Sequence, residues 1–216
     1  MGKDRTELVF ILDKSGSMHG LESDTIGGFN SMLEKQKALE GECRITTVLF
    51  DTDYHVIHDR IDIRGVSPLT EKDYIAGGCT ALIDAIGKTI DNMKTVRKNT
   101  SEEFRSGKVM FVIITDGYEN ASRRYTSDEV KAQISELRKE YGWEFIFLGA
   151  NIDAVETAAG YGIDAKYAAD YKYDDIGTGL NYQVVSEAAS VFREMGCIPD
   201  GCLDPIREDM KKRGEK

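Results

Sequence analysis

Two unbroken apolar runs, Leu8–Leu12 and Val109–Ile114, set the terms for any fold of this chain. Five or six apolar residues without a polar break are what a strand shows when helices cover both faces of a parallel sheet. They fall far short of the ~20 residues that a membrane-spanning helix needs. Around them, apolar residues recur at helical spacing. Ile26, Phe29, Met32 and Leu33 predict a helix over 24–40, stopped by Gly41, and Leu82, Ile86, Ile90 and Met93 predict another over 81–96. Val130, Ile134, Leu137 and Tyr141 follow the capping box Thr126-Ser127-Asp128-Glu129. Asp153 caps a short helix that runs to about Gly160, and Tyr182, Val185, Ala189 and Phe192 give a last helix over 180–195 before Gly196.

Further strands are expected at 43–51, 54–62 and 145–148, with an edge strand over 165–171. Only Thr52 and Asp53 separate 43–51 from 54–62, so that pair must be antiparallel, because a parallel crossover takes a dozen residues or more. Strand and helix otherwise alternate, which predicts an α/β fold: a doubly wound, mostly parallel sheet with helices on both faces. At 216 residues the chain reads as one domain over 1–200, followed by a charged tail, 201–216, whose end Lys211–Lys216 is expected to fray.

Charge narrows the partners. Lys and Arg total 28 against 38 Asp and Glu, a net charge of −10, which repels a phosphate backbone and argues against nucleic acid. No membrane association is expected either. Met1-Gly2-Lys3-Asp4-Arg5-Thr6 fits a loose myristoylation pattern, but no polybasic stretch supplies the second anchor. The first apolar run is too short for a secretory leader, so a cytoplasmic protein with reduced Cys43, Cys79, Cys197 and Cys202 is expected. Three scattered histidines, His19, His55 and His58, offer little to zinc.

In sheets of this kind ligands collect at the carboxyl ends of the strands. Asp13 follows the first apolar run, and Asp116 follows the second in Ile114-Thr115-Asp116-Gly117. In Asp13-Lys14-Ser15-Gly16-Ser17, three oxygen-bearing side chains occupy alternate positions and can converge if the turn is locally extended. Gly77-Gly78-Cys79-Thr80 delivers a further hydroxyl at the start of a helix. Carboxylates and hydroxyls are hard ligands that suit Mg²⁺, Mn²⁺ or Ca²⁺. Each piece has a plainer reading: Asp13 and Ser15 as caps of the first helix, Thr80 as a cap of the helix at 81, Asp116-Gly117 as a turn.

Taken together, Asp13-x-Ser15-x-Ser17, Thr80 and Thr115-Asp116-Gly117 resemble the metal-ion-dependent adhesion site of the von Willebrand factor type A family. The resemblance spans about residues 7–195 and is closest to stand-alone intracellular members of bacteria or phages. It implies a Rossmann-like sheet with one antiparallel edge strand, and a Mg²⁺ or Mn²⁺ ion. Ser15, Ser17 and Thr80 would ligate it directly or nearly so, and Asp13 and Asp116 directly or through water. It also implies that an Asp or Glu of a protein partner completes the coordination.

Lys14, Arg123 and Arg124 adjoin the motif and are expected to form a positive, partner-binding rim that offsets the chain's negative field. Catalysis is not expected. His19 lies close to Ser17, but no Gly-x-Ser-x-Gly elbow is present. A phosphoaspartate-forming phosphatase would need a second aspartate where Ser15 stands. A metal-dependent hydrolase using the same residues is the runner-up, and a structural subunit that holds metal only for folding is a third reading. Five of the ten tyrosines fall in 161–182, where packing of an edge strand is preferred over a partner surface.

Overall fold

The computed structural model describes residues 4–214; the Met1-Gly2-Lys3 start of the lipidation pattern and the final Glu215-Lys216 lie outside them. Six strands form one sheet in the order β3-β2-β1-β4-β5-β6. They are β1 (Thr6–Asp13), β2 (Cys43–Phe50), β3 (Tyr54–Asp62), β4 (Lys108–Thr115), β5 (Glu144–Gly149) and β6 (Ala168–Asp170). All pairings are parallel except β2 with β3, the hairpin closed over Thr52 and Asp53. The two apolar runs became the two central strands, and every residue of β1 is buried.

Six helices flank the sheet: α1 (Glu22–Lys37), α2 (Leu82–Asn99), α3 (Ser127–Tyr141), α4 (Ala154–Gly160), α5 (Asp175–Met195) and α6 (Asp204–Gly214). Helix α1 packs on α5, and α2 on α3. The α1–α5 contact depends on Gly28, where a Cβ would stand 2.4 Å from the Tyr182 ring. The capping box at Thr126 and Glu129 forms with both of its hydrogen bonds, and Gly142 and Gly196 end α3 and α5 in the left-handed conformation.

Three expectations need correction. The last helix begins five residues before 180, because the Asp174 carboxylate accepts the Gly177 N–H at 2.7 Å and caps it. Gly177 is required there, since a Cβ would meet the Lys172 carbonyl oxygen at 2.0 Å. The stretch 165–171 is a 3-10 turn over Ala165–Tyr167 followed by the three-residue β6, not one strand. The tail also folds: residues 204–214 are α6, with Leu203 and Ile206 buried. Arg207 donates to the carbonyls of Ala165, Lys166 and Ala168, and Arg213 pairs with Asp174 at 2.6 Å. The boundary drawn at residue 200 therefore has no counterpart in the packing.

Tyr161, Tyr167, Tyr171 and Tyr182 are buried, as expected of packing residues. All four cysteines are free. Among the described residues no helix is long and apolar enough to cross a membrane.

Candidate metal centre

Strands β1 and β4 are neighbours, while the chain leaves β1 for β2 on one side and β4 for β5 on the other. A crevice opens at such a switch point, at the carboxyl ends of the strands. Asp13 ends β1 and Thr115 ends β4, which puts Asp13 and Asp116 on the crevice lip. The Thr115 hydroxyl donates to Asp13 Oδ2 at 2.6 Å, and the Ser15 backbone N–H donates to Asp13 Oδ1 at 2.7 Å. Both donors are neutral, and burial pushes the Asp13 pKa above the usual carboxylate range.

The Ser15 and Ser17 hydroxyl oxygens stand 3.0 Å apart, and the Ser17 hydroxyl donates to Asp116 Oδ1 at 2.8 Å. A Cβ added at Gly117 would lie 3.6 Å from Ser17 Oγ and 3.9 Å from Thr80 Oγ1, so these two hydroxyls flank one point of the β4–α3 loop. The five sequence-predicted ligands thus come from three loops at one sheet edge. Asp116 Oδ2 is buried and has no hydrogen-bond partner among the described residues. Burial first, and the charge of Asp13 second, push the Asp116 pKa up to about 6.

The hydroxyls are not spent as helix caps. Helix α1 starts at Glu22, and its cap position, Leu21, has no side-chain hydrogen bond, so Asp13 and Ser15 do not cap it. Thr80 does not cap α2 either. The N–H groups of Ile83 and Asp84 are taken by Glu119 Oε2 and Ser122 Oγ, each at 2.9 Å. Asn120 grips Thr80 from both sides, accepting its N–H at 2.9 Å and donating its own N–H to the Thr80 carbonyl at 3.0 Å. Asp84 in turn accepts the backbone N–H groups of Arg123, Arg124 and Tyr125. This reciprocal clamp fixes Thr80 relative to Asp116.

Two further supports act on the Asp13 loop. Gly77 N–H donates to the Lys14 carbonyl at 2.8 Å, Gly16 N–H donates to the Gly78 carbonyl at 3.1 Å, and the Tyr74 hydroxyl donates to the Asp13 carbonyl. The Tyr173 hydroxyl donates to the Ser17 carbonyl. Sequence reasoning missed Glu119, Asn120, Asp84, Tyr74 and Tyr173, because their roles are tertiary hydrogen bonds. Only the closeness of Glu119 and Asn120 to Asp116 hinted at them.

The three predicted rim cations separate. Lys14 turns to the buried Asp51 and pairs with it, so its charge is consumed inside the protein. Arg123 and Arg124 stay exposed. His19 meets Glu22 at 3.1 Å.

The donor set suits a hard divalent cation: two adjacent carboxylates, one with an unpartnered buried oxygen, and three hydroxyls. A different group of metal-type side chains, Asp51, Asp53 and His55, gathers at the β2–β3 hairpin with ligand atoms within 4.8 Å of one another. Asp51 there is already committed to Lys14 and to the Asp53 N–H at 2.6 Å, which makes the hairpin group a turn device.

No protein-family model matches the sequence, and no curated protein matches it. Solved structures do. The von Willebrand factor domain of the pilus tip protein Mfa5 of Porphyromonas gingivalis superimposes with a TM-score of 0.59 at 12% identity, over 90% of this chain and 98% of that one. The fold is that of a von Willebrand factor type A (vWA) domain. Manganese-loaded TRAP of Plasmodium vivax matches with a TM-score of 0.58 at 17% identity, over 83% of this chain and 72% of that one. A mussel byssus matrix protein with a zinc-occupied adhesion motif matches at 0.55 and 15%, over 86% and 46%. The chain spans less than half the length of several structures it matches.

Proposed function

We propose that this vWA domain is a divalent-cation-dependent protein-binding module. Asp13, Ser15, Ser17, Thr80 and Asp116 hold the ion, Mg²⁺ in the first place and Mn²⁺ or Ca²⁺ as substitutes. A bound ion with an exchangeable position supplies Lewis acidity toward an Asp or Glu of a protein partner. The observation that carries this reading is the Asp116 carboxylate, buried beside Asp13 with one oxygen unpartnered. Two buried carboxylates with only neutral donors are costly unless a cation joins them.

The chain's own groups orient rather than react. Thr115 and Ser15 fix Asp13, Ser17 fixes Asp116, and the Glu119–Asn120 clamp fixes Thr80. Among the described residues no imidazole is free to serve the serines, and the one carboxylate that accepts from Ser17 is Asp116, assigned here to the ion. His19 is engaged with Glu22, and His58 is buried against Thr47 at 3.0 Å. We therefore read the site as binding, not catalytic. Free cysteines fit a reducing, cytoplasmic setting.

Isothermal titration with Mn²⁺ tests the reading. Wild type should bind one equivalent, and Asp116→Ala should lose it. A pull-down from the native host in Mg²⁺ against EDTA then asks whether partner capture follows the metal. Equal Mn²⁺ binding by Asp116→Ala would overturn the proposal. Hydrolysis of p-nitrophenyl phosphate that disappears in Asp13→Ala would reassign the site to a hydrolase.

A further inference from the structure

Three of the four most exposed large apolar side chains among the described residues stand on the segments that build or brace the metal centre. Tyr118, 66% exposed, is two residues past Asp116. Ile75, 64% exposed, sits between Tyr74, which holds the Asp13 carbonyl, and Gly77, which holds the Lys14 carbonyl. Ile176, 58% exposed, lies in the first turn of α5, three residues after Tyr173, which holds the Ser17 carbonyl. Each segment is tied to the ligand loops by its own hydrogen bonds, so these side chains are displayed from fixed backbone. None is needed for the core, and solvent-facing apolar groups gathered about a ligand site mark a binding surface.

We infer that Ile75, Tyr118 and Ile176 form an apolar rim around the metal centre, and that the partner is a protein segment whose acidic side chain is flanked by apolar ones. The inference rests on the metal-binding reading and adds the partner's chemistry to it. Coordination of a carboxylate is common to every Asp and Glu, so it carries no selectivity by itself. Charge adds little discrimination, because the chain is at −10, Lys14 is consumed by Asp51, and the exposed Arg123 and Arg124 attract every carboxylate alike. Selectivity is left to the surface around the ion, to which the three bracing segments each bring one exposed apolar side chain. An aromatic such as Tyr118 beside the centre is the type of residue that dominates binding energy.

Selection from a displayed library of random seven-residue peptides tests this. The library is panned on the Mg²⁺-loaded domain, eluted with EDTA, and the winners are measured as synthetic peptides. Expected winners carry Asp or Glu next to Leu, Ile, Val or Phe. The variant Ile75→Ser/Tyr118→Ser/Ile176→Ser should bind them at least tenfold more weakly while keeping wild-type Mn²⁺ affinity and melting temperature. Acidic winners without apolar neighbours, or equal binding by the triple variant, would overturn the rim and leave the metal reading standing. If the domain titrates with Mn²⁺ but yields no EDTA-eluted peptide, the carboxylate-binding reading fails and the rim fails with it. Winners that survive EDTA and are lost in the triple variant would show an apolar surface independent of the metal, which also overturns the inference.

Discussion

The two ends of β1 carry two buried carboxylates that the protein treats in opposite ways. Glu7 and Asp13 are both 2% exposed. At the amino end, Arg60 reaches from β3 across β2 and donates Nε to Glu7 Oε1 at 2.5 Å and Nη2 to Oε2 at 3.4 Å. The chain makes a sacrifice for this pair: β3 bulges between its pairings at His58 and Ile61, and Arg60 sits at φ +50°, a conformation few side chains adopt. At the carboxyl end, Asp13 receives neutral hydroxyl and amide donors and no cation, and Asp116 is added beside it. The nearest cation in sequence, Lys14, is turned away to Asp51. Where a buried charge is structural, the fold supplies its own counter-charge; at the ligand edge it withholds one, and a solute ion can take that place.

The largest effect expected from this contrast is at the paired end. Arg60→Ala strands the Glu7 carboxylate and should destabilise the domain by about 3–5 kcal/mol in urea unfolding, because breaking one side of a buried pair leaves the other charge uncompensated. Glu7→Gln in the same background should recover most of the loss. A loss under ~1 kcal/mol would mean that Glu7 is solvated in practice and that the two ends are not different in kind.

At the unpaired end the sign reverses. Asp116→Asn removes a charge that the metal-free protein has no cation to meet, so the metal-free variant should be at least as stable as wild type. Its Mn²⁺ affinity should fall more than ~100-fold, given that losing mere hydrogen-bond partners of metal ligands already costs about 10–100-fold. Calorimetry and thermal melts on one preparation check both halves. A variant that is strongly destabilised without metal would show that Asp116 is a structural carboxylate like Glu7.

Much of this could be read in advance because it is local. The apolar runs declared the central strands, the two-residue gap of Thr52 and Asp53 forced the antiparallel hairpin, and the candidate ligands lie in three short segments. What escaped was set by distant contacts. Helix α5 extends back to Asp175 through Gly177, Thr178 and Gly179, residues that look like loop. They become helical because Asp174 caps them, and Thr178 and Asn181 then line a small cavity beside Asp13. Helix α6 presents too few apolar residues to announce itself, yet Leu203 and Ile206 anchor it. Of the expected positive rim, Arg123 and Arg124 remain exposed and only Lys14 is diverted. The backbone put Lys14 opposite Asp51, and no spacing rule contains that information.

The smallest effect sharpens the contrast further, through pH. The Asp116 pKa stands at about 6 in the folded protein against an ordinary value of 3.8, so between those values the folded state holds more of a proton than the unfolded one. Stability of the metal-free domain must then fall as pH rises from about 4 to about 6 on account of this group. His58, whose pKa burial lowers, works the other way as its imidazole charges in the unfolded chain, so the raw curve mixes the two. Subtracting the curve of Asp116→Asn cancels His58 and leaves the coupled Asp13–Asp116 pair, and the difference in Tm should amount to a few degrees, lost below pH 4. Saturating Mg²⁺ should invert the slope, since the ion competes with the proton and binds more tightly as pH climbs through 6. The Glu7 end should show no such inversion, because its carboxylate already has Arg60 as a partner and leaves no place for the ion. A wild-type difference curve that is flat and indifferent to Mg²⁺ would place Asp116 in ordinary solvent, and with it remove the distinction between the two ends of the strand.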